Sequence, residues 1–316
     1  VKQNRCLYCY QLLEEDSTDF HPICSKRFFE KEQPPIMDLA REEMEQLAKD
    51  IVLRSIAVTG VQPKLSLTIE TVPGDPKKSR FTIVGLWGHY ILKPPTNELP
   101  FLPENEDCTM HLAGIFGLPV AEHSLVRLSS GEFAYITKRF DRVRDQKLAM
   151  EDMCQLTETL TADKYHSSME RIGRHVRMYA TSPGLAAIAF FELSLFSWLT
   201  GNADMHLKNF ALLTNTQGII ELAPAYDLVC TKIAMPDDND EMALTLNAKK
   251  RKIIRKDFDA LASSLKIPVK SAQNTYERFA GKIAEACNWI DISFLPGEMK
   301  TQFKDIILAN AAKMNW

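Results

Sequence analysis

The run GLAAIAFFELSLFSWLTG, residues 184–201, constrains the fold more than any other part of the chain. Leu185, Ile188, Ala189, Phe191, Leu195, Phe196 and Leu199 place apolar side chains nearly all round a helix. A helix with no polar face has to be covered on every side. Glu192 interrupts the run, and no apolar stretch reaches the ~18 residues of a membrane span. The run is therefore expected to be the central helix of a helical domain. Directly after it comes GNADMHLKNF, residues 201–210, which packs an Asp, a His, a Lys and two Asn into one short stretch. Buried polar groups need partners, so this cluster is expected on a loop held by rigid elements.

The chain has 316 residues, which suggests two domains or one bilobal unit. It is 45% hydrophobic and 25% charged, a balance that supports an ordinary hydrophobic core. A formal net charge of -3 argues against bulk electrostatic binding of nucleic acid. The N-terminal VKQNRC carries no signal-peptide pattern. The expectation is a soluble cytoplasmic protein with no membrane contact and no direct nucleic-acid contact. Of the seven cysteines, Cys108, Cys154, Cys230 and Cys287 are scattered in apolar or helical contexts and read as free thiols.

Three regions are expected: a Cys/His segment over 1–33, a β-rich lobe over 34–140 and a helical lobe over 141–316. Residues 35–53 have helical spacing of apolar residues. Strands are expected at 65–70, 80–85, 89–93, 121–128 and 132–138, with one helix near 104–117. Past residue 142 the pattern turns helical, at 151–161, 167–180, 183–200, 255–264, 270–288 and 297–313. Only 210–222 reads as a hairpin there. The fold class is α+β, a small β-rich N-lobe before a larger helical C-lobe.

Asp204 and Asn209 stand in a D-x-x-x-x-N spacing. In protein kinases that spacing sets a carboxylate beside the acceptor hydroxyl and an amide oxygen on Mg²⁺. A carboxylate can accept a hydroxyl proton, and an amide oxygen is a hard ligand. Asp227, in APAYDLV, supplies a second metal carboxylate after the hairpin. His206 and Lys208 are near enough in sequence to meet phosphates or a backbone carbonyl. A polar helix end with a solvated loop is the plain alternative. In the β-rich half, Lys93 ends a strand and can clamp phosphates. The stretch AVTGVQPKLSL, residues 57–67, is a weak phosphate-loop signal with one Gly. TKRFDR offers a hinge where Phe140 would meet adenine.

Cys6, Cys9, His21 and Cys24 form C-x2-C-x11-H-x2-C. Two knuckles of tetrahedral-capable ligands suit structural Zn²⁺, and thirty residues cannot build a core of their own. A reduced segment with no metal, or a redox pair at Cys6 and Cys9, are the alternatives. NAKKRKIIRKDF, residues 247–258, holds six basic residues within a run of ten. It reads either as a solvated helix start or as a rim that receives an acidic protein or a tRNA-bound substrate. MPDDNDEM, residues 235–242, reads as a mobile acidic loop.

Taken in order, SIAVTGVQPKLSL, YILKPP, ITKRFDR, EDMCQL, GNADMHLKNF and LAPAYDLV resemble the HipA-type serine/threonine kinases, toxins of bacterial toxin–antitoxin operons. The resemblance runs from about residue 50 to 310. It implies a kinase-like bilobal fold with ATP and Mg²⁺ as cofactors. Asp204 would be the catalytic base, and Asn209 and Asp227 the Mg²⁺ ligands. Lys93, Gly60, Val61, Gln62, Lys64, Phe140 and His206 would contact the nucleotide. Lys138 falls where a hinge acid often stands. The stretch before the core is shorter than in the larger members, which implies the short, HipT-like form. There the N-terminal subdomain is a separate protein and a helix-turn-helix antitoxin is a partner. Ala57 stands where family members autophosphorylate a serine, so Thr59 and Ser55 become the candidate regulatory phosphosites. The family's substrates are Ser/Thr side chains of translation proteins, aminoacyl-tRNA synthetases among them. A small-molecule or lipid phosphotransferase and a pseudokinase binding module are the rival readings.

Overall fold

The computed structural model describes residues 4–14, 17–38, 64–84, 87–144 and 146–316. The expected helix over 35–53 therefore lies mostly outside the described residues. So does the Gly60 stretch with Val61 and Gln62, and so do Thr59 and Ser55. The chain divides into two compact units, one of Val1–Asp107 with Ala121–Phe140, the other of Cys108–Val120 with Asp141–Trp316. Among the described residues, no helix is long and apolar enough to cross a membrane.

The first unit is built on a five-stranded antiparallel sheet. Its strands are β1 (Leu65–Val72), β2 (Asp75–Val84), β3 (Tyr90–Lys93), β4 (His123–Arg127) and β5 (Phe133–Lys138), in the order β2-β1-β3-β5-β4. All five expected strands are present; β2 begins earlier than its apolar run, because Ser79 pairs with Thr71 and, past a bulge, Asp75 pairs with Val72. One face of β1 buries Leu65 and Leu67, the period-two pattern of a half-buried strand. The Cys/His segment contributes helix α1 (Pro22–Phe29) to this same unit. Phe28 and Phe29 meet Tyr90 and Phe81 at ring separations of 5.7–6.3 Å, mostly edge-on, a geometry aromatic quadrupoles favour.

Helix α2 (Leu102–Ile115) carries acidic residues on a buried turn. Glu104 is only 8% exposed, and burial pushes its carboxyl from 4.5 up to about 7, against the lowering effect of a backbone N–H. Between those two values the folded chain keeps a proton that the unfolded chain releases. Unfolding free energy therefore falls as pH rises through this window and levels off above it. Glu104→Gln is expected to abolish that fall and to gain on the order of 3 kcal/mol at mildly alkaline pH. Urea midpoints for both proteins on the two sides of the window check this. A midpoint difference that does not change with pH rules it out.

In the second unit, helix α5 (Pro183–Leu199) is the expected central helix, following α3 (Met153–Leu156) and α4 (Met169–Tyr179). Ala186, Phe190, Phe191, Leu195, Phe196 and Leu199 are buried, but the first turn is not, and Leu185 is 72% exposed. Phe191 and Trp198 pack edge-on against Phe258, and Phe190 packs on Phe210. The interrupting Glu192 is satisfied by an ion pair with Arg278 and a hydrogen bond from Thr275 Oγ1 at 3.0 Å. The helices α7 (Arg255–Ser264) and α10 (Gly297–Lys313) match the periodic segments, with α6 (Thr231–Ala234) before them.

Two expectations in this unit need correction. The segment 151–161 is not one helix. Met150–Asp152 forms β8, which pairs with β9 (Ala211–Thr214) of the expected hairpin, and only the single turn α3 follows. The hairpin with β10 (Ile220–Leu222) thereby becomes a three-stranded sheet, order β10-β9-β8; a small two-stranded ribbon, β6 (Arg142–Val143) and β7 (Gln146–Lys147), precedes it. The segment 270–288 splits into α8 (Val269–Ala280) and α9 (Ile283–Ile292), with Gly281 capping the first.

Candidate functional site

The polar cluster is placed by the way α5 ends. Gly201 takes φ +69°, its N–H donates to the Trp198 carbonyl at 3.1 Å, and the Asn202 N–H donates to the Ser197 carbonyl at 2.8 Å. These paired bonds are a Schellman stop, which turns the chain sharply off the helix. A Cβ on residue 201 would also come within 2.9 Å of Ile306 and 3.1 Å of Lys232. The turn is then pinned from α6: Thr231 Oγ1 accepts from the Ala203 N–H at 2.8 Å and donates to the Gly201 carbonyl at 3.0 Å. The Asn202 amide oxygen accepts the Asp204 N–H at 3.1 Å. Asp204 thus stands on a loop whose backbone is determined on both sides.

The D-x-x-x-x-N spacing closes on itself. Asn209 Nδ2 donates to the Asp204 carbonyl at 2.9 Å, and the His206 N–H donates to the same oxygen at 2.8 Å. The Asn209 amide oxygen is left for another group. On the side chain, Tyr165 donates its hydroxyl to Asp204 Oδ1 at 2.7 Å. Burial, and then this bond to a carboxylate, push the Tyr165 phenol up, so it stays a donor at neutral pH. Asp227 is brought to the loop by its neighbour, since Tyr226 donates its hydroxyl to the Lys208 carbonyl at 2.9 Å. Asp227 adopts φ 55°, a left-handed conformation uncommon for residues other than glycine and found disproportionately at functional sites.

His206 lies among these groups. Burial pulls its imidazole below the ordinary range, while the nearby carboxylates of Asp204 and Asp227 oppose this. Its Nδ1 is buried with no hydrogen-bond partner among the described residues. A buried polar atom without a partner calls for an explanation, with a bound group, a water molecule or a catalytic role among the candidates. Carboxylate and amide oxygens from Asp227 and Asn209 are hard donors that fit Mg²⁺. The residues therefore suit an anionic, metal-bound ligand. Lys208 is committed elsewhere: its ammonium pairs with Asp152 at 2.7 Å. That carboxylate also accepts the Gln155 N–H at 3.0 Å as the cap of α3.

In the first unit Lys93 is buried at the end of β3 and forms an ion pair with Glu106 of α2; their side chains are 3% and 0% exposed. The ammonium also lies 5.3 Å from the Tyr135 ring centroid. Lys64 precedes β1 and is exposed, and Phe140 follows β5. Lys138 reaches Glu30 of the N-terminal segment at 2.9 Å. Cys6, Cys9, His21 and Cys24 are brought together, with their ligand atoms all within 4.8 Å of one another.

Three contributors escaped the sequence reading. Glu106 and Tyr165 lie 13 and 39 positions from their partners, and Asp152 lies 56 positions from Lys208. Only Asp152 had a local signal, the capping-box pattern D-x-x-Q. The basic stretch 247–256 is in good part used internally: Lys249 pairs with Asp257, Arg251 with Asp240, and Arg255 stacks on Tyr276 at 3.6 Å. The acidic stretch before it is tied down at its end, where Glu241 accepts from Trp198 Nε1 and from the Lys252 and Ile253 N–H groups at 3.0–3.1 Å.

The profile of the HipA-like C-terminal domain matches residues 56–287. The protein Y4dM of Sinorhizobium fredii is 34% identical over 243 residues, covering 71% of this chain and 58% of that one. The serine/threonine-protein kinase toxin HipA of Shewanella oneidensis is 28% identical over 255 residues, 73% of this chain and 56% of that one. The chain spans 46–65% of the length of these and two further curated relatives. The Shewanella oneidensis HipA solved with HipB and operator DNA superposes with TM-score 0.67 at 21% identity, covering 88% of this chain and 72% of that chain. The Helicobacter pylori proinflammatory kinase CtkA gives 0.53 at 18%, covering 71% and 87%. The fold is α+β and kinase-like, with a β-rich first unit and a largely helical second.

Proposed function

The chain belongs to the HipA-like C-terminal domain family, and from that premise we propose that it is a Mg–ATP-dependent protein serine/threonine kinase. One observation carries the reading: Asp204 and Asn209 are locked to each other by the bond from the Asn209 amide to the Asp204 carbonyl, beside a left-handed Asp227 and a buried His206 nitrogen with no hydrogen-bond partner among the described residues. Asn209 and Asp227 would hold Mg²⁺, which neutralises charge on the transferred phosphoryl group when bound. Asp204 accepts the proton of the acceptor hydroxyl and orients it for in-line attack. Tyr165 keeps the carboxylate in one rotamer. Lys93, set by Glu106, and the Gly60–Lys64 stretch position the phosphates, and Phe140 meets adenine.

The reading extends to biology by analogy with the HipA relative, which is named a toxin and is solved with HipB and operator DNA. The chain would act in the cytoplasm as the growth-inhibiting member of a toxin–antitoxin pair. Its partner would be a helix-turn-helix antitoxin. Its acceptor would be a Ser or Thr hydroxyl on a translation protein such as an aminoacyl-tRNA synthetase. Thr59 and Ser55 are the sites proposed for control by autophosphorylation. The test is transfer from γ-labelled ATP with Mg²⁺ to bacterial lysate proteins, followed by a nucleotide titration. A discrete labelled protein supports the reading. Absence of both label and Mg–ATP binding rejects it.

A further inference from the structure

We propose that Cys6, Cys9, His21 and Cys24 hold a structural Zn²⁺ that fastens the N-terminal segment to the first unit. This inference is independent of the phosphotransfer reading.

The four ligands come from two turns. Cys6 and Cys9 flank a tight turn in which the Tyr10 N–H donates to the Cys6 carbonyl and the Cys6 N–H to the Gln11 carbonyl, both at 2.9 Å. His21 caps α1, and Cys24 lies in its first turn. Their geometry is that of a coordination sphere. Cys9 Sγ lies 3.5 Å and Cys24 Sγ 3.7 Å from the same atom, His21 Nδ1. For tetrahedral zinc, with Zn–S of about 2.3 Å and Zn–N of about 2.0–2.1 Å, the S···N edge is about 3.6 Å.

Hydrogen bonding among thiols does not explain this arrangement. A neutral imidazole nitrogen has one lone pair and accepts from one donor, yet two sulfurs converge on it. The tautomer is also set. His21 Nε2 lies 2.9 Å from the Leu12 carbonyl. A carbonyl only accepts, so Nε2 carries the hydrogen and Nδ1 turns a bare lone pair towards the sulfurs. A backbone carbonyl orienting the far side of a ligating histidine is a recurrent feature of zinc sites. Cys6, Cys9 and Cys24 are free of disulfide bonds, and a three-sulfur, one-nitrogen set selects zinc among common cations.

The segment has work for such a clip. The Leu7 carbonyl, inside the first knuckle, accepts from Ser124 Oγ at 3.2 Å and from the Leu125 N–H at 3.5 Å on β4. Tyr10 donates its hydroxyl to Asp107 at 2.6 Å, one residue beyond Glu106. Asp19 pairs with Arg127 at 2.7 Å. A loop of this length pays a large ordering entropy, which bound metal offsets.

The test is metal analysis of the full chain purified under reducing conditions and, in parallel, reconstituted with Zn²⁺ or Co²⁺. One equivalent of zinc per chain is expected. The Co²⁺ form should show tetrahedral d–d absorption with thiolate-to-metal charge transfer. Cys9→Ser should lose both signals, Cys287→Ser should keep both, and stripping the metal should lower Tm. The Co²⁺ spectrum is read on the wild-type chain, so the result does not depend on the variant folding. Absence of stoichiometric metal after reconstitution, a bound metal other than zinc in the purified chain, or zinc retained in Cys9→Ser overturns the assignment.

Discussion

Asp204→Asn is expected to cut phosphoryl transfer by roughly 10²–10⁴-fold, the range attributed to a positioned general base, while Mg–ATP binding stays nearly unchanged. The substitution conserves shape. Tyr165 can donate its hydroxyl to an amide oxygen as it does to the Asp204 carboxylate at 2.7 Å. The Asn209 amide still reaches the backbone carbonyl of residue 204, which the substitution does not touch. What is lost is the proton-accepting oxygen alone. Single-turnover transfer from labelled ATP gives the rate, and a nucleotide titration gives the affinity. A variant as active as wild type would remove Asp204 from the chemistry. A variant that no longer binds nucleotide would make it a ligand of the metal or phosphates instead.

The second large effect concerns Lys93 and Glu106. Removing one member of a buried ion pair takes away the charge that offsets the other, at a cost of about 3–5 kcal/mol. Glu106→Leu is expected to destabilise by that order, because the Lys93 side chain is only 3% exposed. Replacing both, as in Lys93→Met with Glu106→Leu, should restore most of the stability, since paired charges exchanged for apolar groups are often neutral. Activity should be lost in all of these variants if Lys93 meets the nucleotide. Urea unfolding and label transfer on the same preparations separate the two roles. A stable double variant with full transfer would make the pair purely structural.

Much of the frame was legible beforehand because it is written in short-range pattern. The strand at 65–70 alternates apolar with polar residues, the strand at 132–138 is rich in aromatic and β-branched residues, and the helix at 255–264 carries its period within its own ten residues. The segment 151–161 misled because its residues are compatible with either state; the ladder between Met150–Asp152 and β9 decides for strand. The break at Gly281 was lost for a related reason. Both halves of 270–288 have helical spacing, and a two-residue interruption, Gly281 and Lys282, barely disturbs the period. Leu185 was placed in the core by its periodic position, but a helix end can protrude beyond whatever covers the rest of the helix.

The sequence by itself determined where the chain must turn and which chemistry could collect there. A run apolar on every face demanded a buried helix, Gly201 supplied the left-handed stop, and Asp204, Asn209 and Asp227 stood at spacings that suit a phosphate–metal site. Tertiary structure alone decided the electrostatic state of those groups. It chose Glu106 for Lys93, Tyr165 for Asp204 and Asp152 for Lys208, and it drew the Glu104 carboxyl up to about 7 by burial. Periodicity records which face of an element is covered. It carries no information about which residue, dozens of positions away, arrives to cover it, and pairing and desolvation energies depend on that arrival.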